Sequence, residues 1–342
     1  MERVSQLILR NQESFRTGQI LLVNPPRDTC FARLTEGERK VSIFSQDFGD
    51  YSWLKSSGAD AEFGLFPALA STTQDIVLIL PRERARLDMM LHALASSMAP
   101  KSLVWLAGEN RSGIKSSAKR LNPHFQSVSR IDNARHCTLF KACNSSPTDP
   151  FDLESYKKSW TLAFSGKEFT IISLPGTFAH GKLDKGTSLL LDFLDELKPS
   201  GSILDFACGN SVIGLSLLSL RPDTVLTMLD VSALALESTR RSLAANDMEA
   251  TVLASDGLSG LKGRFDWIIS NPPFHRGIRN DLEIARSFFA DAGNFLTKTG
   301  KILLVCNHHL PYTAWLKEYF TRVEVVRNNR EFKVIQASGP LA

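Results

Sequence analysis

With 342 residues, 43% of them hydrophobic and 22% charged, the chain is long enough for two domains and composed like a folded protein, which excludes a disordered one. No apolar run approaches the roughly 20 residues that cross a bilayer, and Glu2, Arg3, Gln6 and Arg10 interrupt any signal-peptide core, so a soluble, cytoplasmic protein without a membrane partner is expected. The five scattered cysteines include no Cys-x-x-Cys pair, which suggests neither a disulfide framework nor a zinc site, and no metal is expected.

In chain order, residues 20–23 read as a first apolar strand that leaves through Asn24-Pro25-Pro26-Arg27, a turn. Residues 75–81 and 101–106 read as further strands with a helical stretch between them. The net charge is only +4, yet Lys101, Arg111, Lys115, Lys119, Arg120, Arg130, Arg135 and Lys141 follow one another against only Glu109 and Asp132. Such a run is either a solvated face or a surface that meets nucleic-acid phosphates. On the second reading, Lys115, Lys119 and Arg120 are candidate RNA contacts. The stretch Ser145-Ser146-Pro147-Thr148-Asp149-Pro150 has linker composition and sets the expected boundary, residues 1–150 and 151–342. Residues 160–174 then read as a hairpin leading into the second domain.

The second half alternates short apolar strands with helical stretches, the pattern of a parallel sheet covered on both faces. Residues 202–206 form the first predicted strand, and 207–211 a turn into a helix that stops before Pro222. Residues 225–230 form the second strand, and Ser232 caps a helix running to Asn246. Residues 251–254, 265–270 and 301–306 continue the sheet, with a helix from about Asp281 to Leu296, and residues 323–326 and 332–336 close it as an antiparallel pair. The first half repeats this unit in worn form. Asp75 to Pro81 echoes Asp266 to Pro272, and Lys101 to Leu106 echoes Lys301 to Cys306. The interval between those strands is shorter in the first copy, where the second has Asn271-Pro272-Pro273-Phe274. The expected fold is therefore α/β, two tandem Rossmann-like domains with a degenerate N-terminal copy.

Three acids lie at successive predicted strand ends. Asp205 precedes a turn in which Ala207, Gly209 and Ser211 let a ligand come close to the backbone, and the following helix N-terminus favours a carboxylate. Asp230 suits a pair of ribose hydroxyls, and Asp256 an adenine amino group. Together they describe an adenosine bearing an amino-acid group. No intact Gly-x-Gly-x-x-Gly is present, which counts against a dinucleotide.

Ser270-Asn271-Pro272-Pro273-Phe274 follows an apolar strand at the same sheet edge. An exocyclic amine on an aromatic ring is a poor nucleophile because its lone pair is delocalised. The Asn271 side-chain oxygen and the Pro272 carbonyl can accept its N–H groups, orient the lone pair and stabilise the positive charge that develops. Pro272 and Pro273 fix the carbonyl direction, and Phe274 offers a face on which a base stacks. Asn24-Pro25-Pro26-Arg27 has Arg where that aromatic belongs, and reads as a turn alone.

On these residues the second half resembles the class I methyltransferases, and the whole chain resembles the bacterial 16S ribosomal RNA guanine-N2 methyltransferases. The resemblance rests on Gly108-Glu109-Asn110-Arg111-Ser112-Gly113, on Leu174-Pro175-Gly176-x-Phe178 leading to Leu183-Asp184-Lys185-Gly186, and on residues 265–275. It implies S-adenosylmethionine as cofactor, N2-methylguanosine in helix 34 of 16S rRNA as product, and 16S rRNA or the small subunit as partner. It also implies an inactive N-terminal copy that aids folding and RNA binding, and a monomer is expected. The chain departs from the family where the pattern Asp-x-Gly-Cys-Gly-x-Gly reads Asp205-Phe206-Ala207-Cys208-Gly209-Asn210-Ser211. Side chains at Ala207 and Ser211 would narrow the cofactor's approach, or conflict with a positive φ if the turn needs one. Asn-Pro-Pro-Phe is also similar to the motif of adenine-N6 and protein-glutamine-N5 methyltransferases, and other guanine-N2 enzymes act on 23S rRNA. A non-catalytic rRNA-binding assembly protein on the same scaffold is the alternative of another class.

Overall fold

The computed structural model describes residues 1–16, 18–36, 39–70, 73–144, 149–272 and 279–341. The chain divides into two compact units, Met1–Tyr156 and Lys157–Ala342. Among the described residues, each unit holds a seven-stranded sheet.

The first unit runs α1 (Arg3–Arg10), β1 (Gln19–Val23), α2 (Cys30–Leu34), β2 (Lys40–Ser45), α3 (Phe48–Ser56), β3 (Asp60–Phe63), β4 (Thr73–Ile79), α4 (Arg84–Ser97), β5 (Leu103–Glu109), α5 (Ile114–Ser117), β6 (Gln126–Ala134) and β7 (Cys137–Cys143). The second opens with a hairpin of β8 (Lys158–Phe164) and β9 (Lys167–Ser173) and continues through α6 (Lys185–Leu197), β10 (Ser202–Phe206), α7 (Val212–Leu220), β11 (Val225–Asp230), α8 (Ala233–Ala244), β12 (Thr251–Ala254), β13 (Phe265–Ser270), α9 (Arg279–Ala292), β14 (Leu296–Asn307), α10 (Tyr312–Leu316), β15 (Phe320–Asn328) and β16 (Phe332–Pro340). The strand orders are β3-β2-β1-β4-β5-β7-β6 and β12-β11-β10-β13-β14-β16-β15. These are one order written twice. The duplication expected from the sequence is therefore present in the topology, down to the antiparallel closing pair.

Register corrects the sequence-level matching of the copies, by one residue at β4 and by two at β5, where Leu103 rather than Lys101 stands level with Lys301. Val23 pairs with Phe44 and Leu78, as Phe206 pairs with Leu229 and Ser270. On that footing Asp75, the partner of Ile20, stands level with Trp267, the partner of Ile203, and not with Asp266.

The centre of the second sheet is buried on both faces because consecutive apolar residues of β10, β13 and β14 point alternately to two cores. Ile203, Ile269 and Leu303 point to a core shared with Leu190 and Leu194 of α6 and Leu215 of α7. Leu204, Ile268, Ile302 and Leu304 point to the other, with Phe288 and Phe289 of α9 and Tyr312 of α10. Alternation sends neighbours to opposite faces, and each buried aliphatic contributes about 1.5–3 kcal/mol. Ser232 caps α8 as predicted, its hydroxyl accepting from Ala235 N at 3.4 Å. Helix α9 ends at Ala292, short of the expected Leu296, because a 3-10 turn over Gly293–Phe295 leads directly into β14.

Candidate active site

Register draws a line across the carboxyl edge of the second sheet. Phe206 pairs with Leu229 on one side and Ser270 on the other, so the next residue of each strand, Ala207, Asp230 and Asn271, stands at the same level. Ser270 Oγ donates to the Phe206 carbonyl at 2.7 Å and ties β13 to β10 at that point. The strand order reverses between β10 and β13, which is where open α/β sheets form their ligand crevice. The same line in the first unit carries Asn24, Ser45 and Ile79. Neither an acid nor an acceptor amide occupies the second and third places. Instead Gln46, which is buried, fills the edge: its N–H donates to Asn24 Oδ1 at 2.8 Å, its Nε2 to the Leu65 carbonyl at 2.7 Å, and Arg86 Nε donates to its Oε1 at 2.9 Å. The strands survive there without the chemistry.

The turn after β10 takes left-handed backbone at alternate residues, with φ of 59° at Ala207, 58° at Gly209 and 69° at Ser211. A positive φ is thus required at both positions where the chain departs from glycine. Each non-glycine residue accepts it at about 1–2 kcal/mol. The turn is held from outside. Cys208 N donates to the Leu229 carbonyl at 2.9 Å, Gly209 N to Asp230 Oδ2 at 3.0 Å, and Thr239 Oγ1 of α8 to the Gly209 carbonyl at 3.0 Å. Ser211 is buried, and its hydroxyl bonds the Asn210 carbonyl instead of capping α7. Burial pushes the Cys208 thiol well above its ordinary range, so it is an inert packing group.

Asp205 is fully buried, and neither of its carboxylate oxygens has a hydrogen-bond partner. Burial, and then the charge of Asp230 beside it, pushes its carboxyl up to about 8, opposed by the Gly214 N–H from the first turn of α7. The approach is close: a Cβ at Gly214 would stand 3.2 Å from Asp205 Oδ2 and run into Met228. Asp230 is half-buried and also raised by burial, while the Ser232 and Gly209 N–H groups pull it back. Its Oδ1 accepts from Ser232 N at 2.9 Å, and a carboxylate has lone pairs beyond these two bonds. Asp256 is exposed just beyond β12, on the same edge. An orphaned buried carboxylate calls for a cation, an α7 N-terminus for an anion, and Asp230 for hydroxyls. The residues present fit an adenosine that bears a cationic centre and an amino-acid group.

Asn271 leaves β13 half-buried, with Pro272 buried behind it. Its Nδ2 donates to Asp184 Oδ2 at 3.1 Å and to Thr187 Oγ1 at 2.8 Å. Pro273 and Phe274, assigned to hold and stack the base, lie outside the described residues. Lys115 and Lys119 are exposed in the first unit, whereas Arg120 is half-buried and ion-paired with Asp88 of α4. Among the described residues, no group of three or more His, Cys, Asp or Glu could hold a metal ion, and no helix is long and apolar enough to cross a membrane.

Residues 5–160 match the Methyltransferase small domain N-terminal family and residues 168–336 the Methyltransferase small domain family. The chain is 36% identical over 333 residues to a ribosomal RNA small subunit methyltransferase C of Shewanella loihica, covering 96% of this chain and 97% of that one. It is also 36% identical to the Pseudomonas fluorescens protein of that name, over 98% and 99% of the two chains. The chain belongs to the ribosomal RNA small subunit methyltransferase C family. A solved structure from T. thermophilus, a 16S rRNA N2 G1207 methyltransferase in complex with AdoMet and guanosine, matches 98% of this chain and 92% of its own length, with TM-score 0.88 and 26% identity. The small subunit methyltransferase C architecture of two Rossmann-like sheets, as expected from the sequence, is thus the architecture found.

Sequence reasoning passed over two polar residues of this family member's site. Asp184 and Thr187 entered only as part of a resembling stretch or not at all, although Asp184 just before an apolar-periodic stretch is an N-cap signal that locates a helix start. Thr239 and Ser238 gave no signal, because hydroxyls inside a helix are read as solvated or as core. Here Thr239 Oγ1 donates out of α8 to the Gly209 carbonyl, and Ser238 Oγ accepts from Leu174 N.

Proposed function

We propose that this chain transfers a methyl group from S-adenosylmethionine to the exocyclic N2 of a guanine in small-subunit ribosomal RNA. The observation that carries the reading is the level line of Ala207, Asp230 and Asn271, with the amide nitrogen of Asn271 held by Asp184 and Thr187. When bound, the cofactor supplies an electrophilic methyl on a sulfonium. Asp230 accepts the ribose hydroxyls, Asp256 the adenine amino group, and Asp205 supplies negative charge beneath the turn. The Asn271 oxygen and the Pro272 carbonyl accept the two N–H groups of the guanine amine, which turns its lone pair to the methyl and stabilises the ammonium-like charge. The proton leaves after transfer, so no strong base is needed. Pro273 and Phe274 complete the acceptor side.

The solved structure of the T. thermophilus enzyme in complex with AdoMet and guanosine supports both ligands. The first unit aids folding and presents Lys115 and Lys119 to RNA phosphates. The protein acts as a monomer, without a metal, in the cytoplasm. Digestion of small-subunit rRNA to nucleosides, with N2-methylguanosine quantified by mass spectrometry in cells with and without the protein, tests the reading.

A further inference from the structure

The carboxamide of Asn271 has two ends of opposite character, and only its oxygen can receive an amine N–H. Which end faces the acceptor is decided elsewhere. Asp184 sits at the N-cap of α6, where Oδ2 accepts from Thr187 N at 3.0 Å, and the same oxygen accepts from Asn271 Nδ2 at 3.1 Å. Thr187 Oγ1, buried one turn into the helix, takes a second N–H at 2.8 Å. An ionised carboxylate accepts and never donates. Turning the amide over would set its oxygen against the Asp184 carboxylate, and its nitrogen toward the donor groups of the substrate. Gly186 keeps this corner tight: a Cβ there would stand 3.1 Å from both Asp184 Oδ2 and the Phe332 ring.

We infer that Asp184 and Thr187 are positioning residues for methyl transfer, which set the polarity of the Asn271 amide and, through the Asp184 charge, strengthen its oxygen as an acceptor. A charged acceptor on the amide N–H pushes electron density toward the carbonyl oxygen, and hydrogen bonds in series reinforce one another. The helix cap and the catalytic amide thus share one oxygen atom. This rests on the reading that Asn271 receives the guanine amine.

The test uses the full-length protein, S-adenosylmethionine and small-subunit rRNA under single-turnover conditions, with cofactor affinity and melting temperature measured beside the rate. Asp184→Ser keeps a good N-cap but is too short to reach Asn271. Thr187→Val removes the second acceptor at nearly constant volume. Each should slow transfer about tenfold, the scale of one hydrogen bond to the reacting amide, with cofactor affinity unchanged, and Thr187→Ser should restore the rate. A swap supplies a readout that a purely structural cap would not move. Asn271→Asp sets two carboxylates face to face and should slow transfer at least about 100-fold. Adding Asp184→Asn to that variant lets the new amide donate to the new carboxylate while still capping α6, and should recover about tenfold of that loss. Wild-type rates in D184S and T187V, or a double variant no faster than N271D, overturn this inference while wild-type protein still yields N2-methylguanosine. If wild-type protein yields none, the reading of Asn271 falls, and this inference with it.

Discussion

Gly209 donates its backbone N–H to Asp230 Oδ2 at 3.0 Å, so the small-residue turn after β10 and the acid at the tip of β11 are one construction. The bond explains why a turn with two of its glycines replaced still holds its shape. It also gives Asp230 two duties on the proposed reading, to brace the turn and to accept from the ribose of the cofactor.

Asp230→Ala removes both. Loss of hydrogen bonds to a charged acceptor predicts cofactor affinity lower by about 100-fold, measured by calorimetry. Affinity within a few-fold of wild type would remove Asp230 from the cofactor site.

Ala207 and Ser211 hold left-handed backbone that glycine adopts without strain. Each substitution to glycine relieves about 1–2 kcal/mol and gives back about 0.5–1 kcal/mol in unfolded-chain entropy. Ala207→Gly with Ser211→Gly should raise stability by about 1 kcal/mol in denaturant melts, and should tighten cofactor binding by opening its approach. A less stable, weaker-binding double variant would mean that the methyl and hydroxymethyl are favourable packing groups.

Asp205 predicts a pH dependence. Its carboxyl stands at about 8 in the folded protein, raised by burial and then by Asp230, against an ordinary carboxylate value unfolded. The folded state therefore binds the proton more tightly. The stability this gives is fully present below the unfolded value and is lost as pH rises through about 8. Melts between about pH 5 and 9 should decline, and Asp205→Asn should flatten the decline. A cationic ligand favours the ionised acid, so cofactor binding near neutral pH should release protons, seen in buffers of different ionisation enthalpy. Binding without proton release in the wild type contradicts this role.

The basic run separates into two kinds of cation. Lys115 and Lys119 are exposed, but Arg120 is committed to Asp88. Replacing both lysines by Gln should weaken RNA binding and shallow its salt dependence by about two phosphate contacts, while Arg120→Ala should act on the melting of the first unit. An unchanged salt slope in the lysine variant leaves that run a solvated face.

The sequence made the central strands legible because both of their faces are buried, which writes apolar runs between small-residue turns. It made the edge acids legible too, since Asp205, Asp230 and Asp256 each lie at the close of such a run. It could not reveal which atoms meet. That Asp184 caps a helix and holds Asn271 with one oxygen depends on the start of α6 meeting the end of β13, a contact between residues far apart in the chain. Nor could it reveal the emptied edge of the first copy, where Gln46 fills the space. Composition does not record either event.

Whether Asn271 directs methyl transfer to a guanine amine is tested most directly by mass spectrometry of nucleosides from small-subunit rRNA of cells lacking the protein, supplied with the wild-type chain or with Asn271→Ala. N2-methylguanosine should fall in the deficient cells, return with the wild type, and not return with Asn271→Ala. The purified variant should still bind S-adenosylmethionine with near wild-type affinity, its transfer rate down by about 100- to 1,000-fold. Unchanged N2-methylguanosine without the protein, or full restoration by Asn271→Ala, would contradict that role.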